Sequence, residues 1–156
     1  MELRPVEDLA SDIDAVLTEL GRELAVVAPG LVIEHIGATS MPDGLTKGDV
    51  DVNLRVDEDR FDHVVAALST RFDVAQPENW TATYASFSDT FRGVPVGIQV
   101  TVEGSDDDFL VTLRDLMRDD TELRHQYDAI KRANAPSGRD PYWRAKHDFL
   151  SRVRHR

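Results

Sequence analysis

Two aspartates, Asp49 and Asp51, stand one residue apart in a segment that alternates polar and apolar side chains. On a β-strand, residues i and i+2 point to the same face, roughly 6.5–7 Å apart. Two carboxylates so placed can share one Mg²⁺ or hold two. Mg²⁺ takes oxygen ligands at about 2.0–2.1 Å and completes its shell with water and substrate phosphate. Metal held this way neutralises charge developing on a phosphate and activates an attacking oxygen. Asp49 and Asp51 are therefore the candidate metal ligands and catalytic residues. The same spacing also describes the wet face of an edge strand, and it arises easily in a chain with 20 Asp.

Gly37-Ala38-Thr39-Ser40 lies upstream, with Gly37 twelve residues before Asp49. Small residues let backbone N–H groups approach a phosphate, and the Thr39 and Ser40 hydroxyls can donate to it. Lysine is scarce, 3 against 15 Arg, which makes Lys47, Lys131 and Lys146 stand out as cations. Zinc is a poor fit, because His35, His63, His125, His147 and His155 show no short ligand spacing and there is no Cys.

The elements that must position these residues follow from hydrophobic period. Val6 to Val27 repeats every 3.6 residues and predicts a helix, stopped by Pro29-Gly30. Leu31–Ile36 predicts a short strand. Asp49–Val56 alternates, with Val50, Val52, Leu54 and Val56 on one face and Asp49, Asp51, Asn53 and Arg55 on the other. A helix is expected over about residues 60–71. Strands are expected at Thr81–Phe87 and Val94–Val102, joined as a hairpin near Arg92-Gly93. Three helices complete the chain, at about 107–117, 121–134 and 141–154. The expected fold class is α/β (α+β), one domain over residues 1–156. It has a small mixed β-sheet with helices packed on it and a helical C-terminal segment over about residues 105–156.

Composition narrows the partners. The chain has 156 residues and a net charge of −11. That charge argues against duplex nucleic acid or an anionic membrane as the main partner. The charge is uneven: residues 1–109 hold 7 basic and 22 acidic side chains, net −15, and residues 110–156 hold 11 and 7, net +4. The absence of Cys removes disulfides and thiol chemistry. No apolar run approaches the roughly 18 residues of a membrane span, and Met1–Pro5 opens no apolar signal core, so a cytoplasmic location is expected.

A strand, then Gly with small residues, then Asp-x-Asp on the next strand resembles the nucleotidyltransferase superfamily, with Ala38 where Ser is usual. More specifically, Ile33-Glu34-His35-Ile36-Gly37-Ala38-Thr39-Ser40-Met41-Pro42, then Gly44-Leu45, Lys47 and Asp51, resembles the GrpB family. Asp43 reads as a one-residue insertion or a shifted turn, and Gly48 replaces a Pro. Leu113–Arg118, Tyr127 with Lys131, and Tyr142 with Ala145 and Lys146 are similar to that family's later segments. The resemblance implies a nucleotidyltransferase-like fold. A nucleotide or other phosphorylated ligand bound with Mg²⁺ is the expected ligand class, and nucleotidyl transfer is one of the functions the resemblance leaves open. His35, Gly37, Thr39, Ser40, Lys47, Arg114, Lys131 and Lys146 are the candidate phosphate-side residues.

One part of the pattern is missing. Nucleotidyltransferases usually carry a third carboxylate on the strand after the pair, and here the expected position is Gln99, a neutral ligand and poor base. Glu103 could replace it only if the register slips. Three readings follow: a nucleotidyltransferase, a catalytically inactive domain that binds a phosphorylated ligand or a protein partner, and an interaction module.

Overall fold

The computed structural model describes residues 2–155. Helix α1 (Ala10–Val27) buries Ile13, Val16, Leu20 and Leu24, three or four residues apart on one face. The helix expected from Val6 starts later, because Val6–Leu9 form a single 3₁₀ turn. Ahead of that turn, β1 (Arg4–Pro5) pairs with β3 (Leu45–Thr46) in a separate two-stranded ribbon. Strands of two residues carry no readable period, and neither was anticipated.

The main sheet has the order β2-β4-β7-β6-β5. Its strands are β2 (Ile33–Ile36), β4 (Val50–Val56), β5 (Asp73–Val74), β6 (Tyr84–Phe91) and β7 (Val94–Val102). Strand β4 runs parallel to β7, and every other neighbouring pair is antiparallel. Helix α2 (Glu58–Ser69) follows β4 and makes the crossover that a parallel pair requires. The β6–β7 hairpin turns at Arg92 and Gly93, where φ is +54° and +79°, as a two-residue turn of this hand needs. The sheet is mixed, as expected, although β6 begins at Tyr84 rather than Thr81.

One face of the sheet is apolar and covered. Val50, Val52, Leu54 and Val56 join Val96, Ile98, Val100 and Val102 in a core with Val16, Leu20, Val64 and Leu68 from α1 and α2. At roughly 25 cal/mol per Å² of apolar surface removed from water, this cluster is the main source of stability for the sheet half.

The C-terminal segment forms α3 (Leu110–Asp119), α4 (Thr121–Asn134) and α5 (Arg139–Arg154). The Asp120 carboxylate caps α4 by accepting from the Leu123 N–H at 2.9 Å. These helices bury a second, smaller core of Met117, Leu123, Tyr127, Phe149 and Val153, into which Met41 inserts from the loop after β2. Helix α3 starts three residues later than expected and α5 two residues earlier. Among the described residues no helix is long and apolar enough to cross a membrane.

Candidate functional site

Asp51 is the second residue of β4, and its carboxylate sits in a slot made by two glycines. A Cβ on Gly37 would lie 2.9 Å from Asp51 Oδ2, and one on Gly97 would lie 2.5 Å from Asp51 Oδ1. Both distances are shorter than real carbon–oxygen contacts, so side chains at 37 and 97 are excluded while Asp51 keeps this pose. Gly37 also has φ +76° and ψ −171°, a conformation only glycine adopts readily. The half-buried Asp51 carboxylate has no hydrogen-bond or ion-pair partner among the described residues. Burial, and then the Asp49 charge, push its pKa up to about 6, with Lys146 and Lys47 pulling the other way.

The register explains the missing acid. Asp51 pairs with Gly97 and Asn53 with Gln99, so the residue facing Asp51 is Gly97. Gln99, expected to face the pair, is one step further along the same face and accepts a hydrogen bond from the Tyr84 hydroxyl at 3.1 Å. Glu103 lies past the end of β7, its N–H bonded to the Val56 carbonyl. No group of three or more His, Cys, Asp or Glu that could hold a metal exists among the described residues. Asn53 is fully buried. Its amide nitrogen donates to the Gln99 carbonyl and to Thr101 Oγ1, both at 3.0 Å, and its Oδ1 has no partner.

The loop after β2 spends its hydroxyls internally. Ser40 Oγ donates to the Gly37 carbonyl at 2.6 Å, and Thr39 Oγ1 lies 2.8 Å from His35 Nε2. His35 pairs across the sheet with Val52, which puts it on the face opposite Asp51. Burial lowers its pKa to about 4, helped by Arg118 and Arg114, so the ring is neutral at pH 7. Further along, Asp43 has a clear use: its Oδ1 accepts from Arg124 Nε at 2.7 Å and ties the loop to α4. Leu45 is gripped at both backbone groups. Its N–H donates to Asp128 Oδ1 at 3.2 Å, and its carbonyl accepts from Lys131.

The expected phosphate-side cations therefore divide. Lys131 is 1% exposed, bonds the Leu45 carbonyl, pairs with Asp128 at 3.1 Å and lies over the Tyr127 ring. Arg114 donates to Glu34 Oε2 at 2.6 Å and to the His35 carbonyl at 3.2 Å, locking α3 to β2. Neither faces an open site. Lys47 and Lys146 differ. Lys47 Nζ is 3.7 Å from Asp49 Oδ2, and the ammonium groups of Lys47 and Lys146 both lie 5.0 Å from the centre of the Trp143 ring. Asp49, Asp51, Lys47 and Lys146 thus form one mixed-charge group. Asp49 itself precedes β4, so the pair spans a strand end.

Several contributors were not legible as site residues. Trp143 reads as a packing residue, yet its ring lies against both Lys47 and Lys146. The Arg4 guanidinium lies 3.1 Å from where a Cβ on Gly48 would be, which brings a cation from β1 beside the Lys47–Asp49 turn. The buried phenols of Tyr127 and Tyr142 close the site from the tail. Burial, chiefly, raises Tyr142 to about 12 and Tyr127 further, with the Asp49 charge adding to both.

A match to the GrpB protein family covers residues 5–156. The chain belongs to the GrpB family. A UPF0157 protein of Vibrio cholerae is 30% identical over 131 residues, 84% of this chain and 70% of that protein. Among solved structures, the conserved protein GrpB from Enterococcus faecalis superposes with a TM-score of 0.68. It is 13% identical, and the match covers 97% of this GrpB-family chain and 99% of that one. The Cid1 poly(U) polymerase with MgGTP bound gives a TM-score of 0.55 at 14% identity, over 75% of this chain and 38% of Cid1. The nucleotidyltransferase-like fold expected from the sequence is the fold observed.

Proposed function

We propose that this GrpB-family chain binds a nucleotide, or another small polyphosphate, together with one Mg²⁺ at the Asp49–Asp51 pair. The observation that carries the reading is the unpartnered Asp51 carboxylate, held half-buried between Gly37 and Gly97 and beside a second carboxylate. A charge left so costs stability unless a proton or a cation joins it. Two carboxylate oxygens and open solvent on one side suit a single Mg²⁺ that keeps waters and takes phosphate oxygens. The donor set is too small for two ions.

Asp49 and Asp51 would hold the metal. Bound there, Mg²⁺ would neutralise phosphate charge. Lys47 and Lys146 stand at the same site without buried partners and supply mobile cations for the remaining phosphate oxygens. The turn at Gly37, Thr39 and Ser40 keeps the loop close to Asp51. In a nucleotidyl transfer the acceptor oxygen would bond to the α-phosphorus as the bond to the bridging oxygen breaks and pyrophosphate leaves. The likeness to Cid1 with bound MgGTP supports the ligand class through fold alone.

A second reading has its own support. Gly97, facing Asp51, removes the position from which a third carboxylate would act, which favours a domain that binds such a ligand without turnover. A thermal-shift screen with Mg²⁺ and each of four NTPs tests binding. Stabilisation by at least one NTP, dependent on Mg²⁺, is the expected result. Pyrophosphate release in the presence of hydroxyl and phosphate acceptors then separates the readings: steady acceptor-dependent release identifies a transferase, and NTP binding without release favours a binding domain.

A further inference from the structure

The first half of α5 carries a stripe that begins at the carboxylate pair and runs away from it. Arg139, Trp143 and Lys146 are spaced i, i+4 and i+7, so they share one face of the helix over about 10 Å. The Lys146 end meets Lys47 and the acidic pair. The Arg139 end opens into a cleft of about 620 Å³ lined by Gln76, Arg139, Asp140, Trp143 and Arg144. That volume is within the roughly 300–1,000 Å³ of small-molecule sites. Neither Arg139 nor Arg144 is in an ion pair among the described residues, so neither guanidinium is engaged by a carboxylate of the chain. The opposite wall is Gln76, whose φ of +44° and ψ of +56° place a non-glycine residue in left-handed backbone. Strain of this kind persists where the surroundings fix it, and it collects at binding sites.

We infer that this cleft is a second ligand site, which takes a small organic phosphate: its phosphate at the guanidinium of Arg139 or of Arg144, its flat body against Trp143, and its polar edge toward the Gln76 amide. The guanidinium fork matches phosphate oxygens in pairs. Trp143, 41% exposed, supplies an apolar wall. The negative field of residues 1–109 disfavours a long polyanion, and Asp140 in the same lining offers an acceptor to a hydroxyl of the ligand. Because Trp143 also touches Lys47 and Lys146, a molecule in the cleft would sit beside the proposed Mg²⁺–nucleotide site, where an acceptor belongs. The acceptor role rests on the nucleotide reading, and the anion site does not.

The test is a fluorescence titration of the Trp80→Phe variant, in which Trp143 is the remaining indole, with phenyl phosphate and no divalent ion. Calorimetry on the unaltered chain guards against a folding defect from loss of Trp80. Saturable quenching is expected, weakened at least tenfold in Arg139→Ala/Arg144→Ala, with benzoate binding at least tenfold more weakly than phenyl phosphate. No saturation, equal binding by the double variant, or equal binding of benzoate would each overturn the proposal. A parallel Mg²⁺–ATP titration keeps the two ideas apart. Phenyl phosphate binding without Mg²⁺–NTP binding leaves the cleft standing and removes the nucleotide reading.

Discussion

Lys131 on α4 and Lys146 on α5 are both close enough to the acidic pair to influence it, and they do opposite work. Lys131 is buried against the Leu45 carbonyl and Asp128. Lys146 has no such partner and lies over an exposed indole. The same division separates Arg114 and Arg124, consumed in clamping β2 and the loop at Asp43, from Arg139 and Arg144 at the start of α5. Helix α3 therefore braces β2 and the turn at Ser40, and α4 braces the loop at Asp43 and Leu45 that leads to Lys47 and Asp49. Helix α5 presents cations to a ligand. The basic tail thus does two kinds of work: Arg114, Arg118, Arg124 and Lys131 hold β2 and the loop after it, while Arg139, Arg144 and Lys146 face open surface.

The strongest way to break this comparison is Lys131→Met. It leaves Asp128 buried beside an unpaired Leu45 carbonyl, and removal of one partner of a buried pair typically costs about 3–5 kcal/mol. Denaturant melts should show a loss near that size. A variant as stable as the unaltered chain would show that α4 does not brace the loop.

Gly97→Ala should cost up to about 3 kcal/mol, because its Cβ meets Asp51 Oδ1 at 2.5 Å. Asp51→Ala in the same chain should recover most of that loss, a coupling that a double-mutant cycle reads directly. Additive losses would mean that the slot does not constrain Asp51.

Asp51→Asn should stabilise the metal-free protein at pH 8, by on the order of 2 kcal/mol. With its folded pKa raised to about 6 from the ordinary 3.8, Asp51 binds its proton more tightly in the folded chain. Its contribution is fully present below pH 3.8 and is lost as pH rises through 6. The gain in Asp51→Asn should accordingly vanish by about pH 4. His35 works in the other direction over an overlapping window. Its folded pKa of about 4 lies below the ordinary 6.5, so it costs stability as pH falls from 6.5 toward 4. Melting curves of Asp51→Asn and His35→Gln across pH 4–8 separate the two, and a pH-independent difference for Asp51→Asn would contradict the unpartnered carboxylate.

The smallest effects belong to Lys47 and Lys146. Lys47→Ala and Lys146→Ala should each shift stability by less than about 0.5 kcal/mol, as exposed or half-exposed pairs do. Each should still weaken Mg²⁺–nucleotide binding about tenfold, or roughly 1.4 kcal/mol. Unchanged affinity in both would move them into the same class as Lys131.

What sequence order reveals here is set by distance along the chain. The alternation of Val50, Val52, Leu54 and Val56 and the Val94–Val102 strand are local patterns, and so is the helix between Asp120 and Asn134. All three were legible. The slot around Asp51 was half legible: Gly37 and Asp51 lie in one motif, but Gly97 enters only through the parallel register of β4 and β7, which no local pattern fixes. For that reason the residue directly opposite Asp51 was not legible, although Gln99 does share its face one pair further along. Lys131 and Arg114 look like phosphate ligands until their partners are known, and those partners, Leu45 and Glu34, are 86 and 80 residues away. Trp143 was hidden because an aromatic on a helix usually packs.

The most direct test is calorimetry of Mg²⁺ with each of four NTPs on the unaltered chain and on Asp51→Asn. At least one NTP should bind the unaltered chain, only with Mg²⁺ present, and Asp51→Asn should lose that affinity at least tenfold while remaining folded. Binding by neither protein with any NTP, or equal binding by both, would contradict a metal–nucleotide site at Asp51.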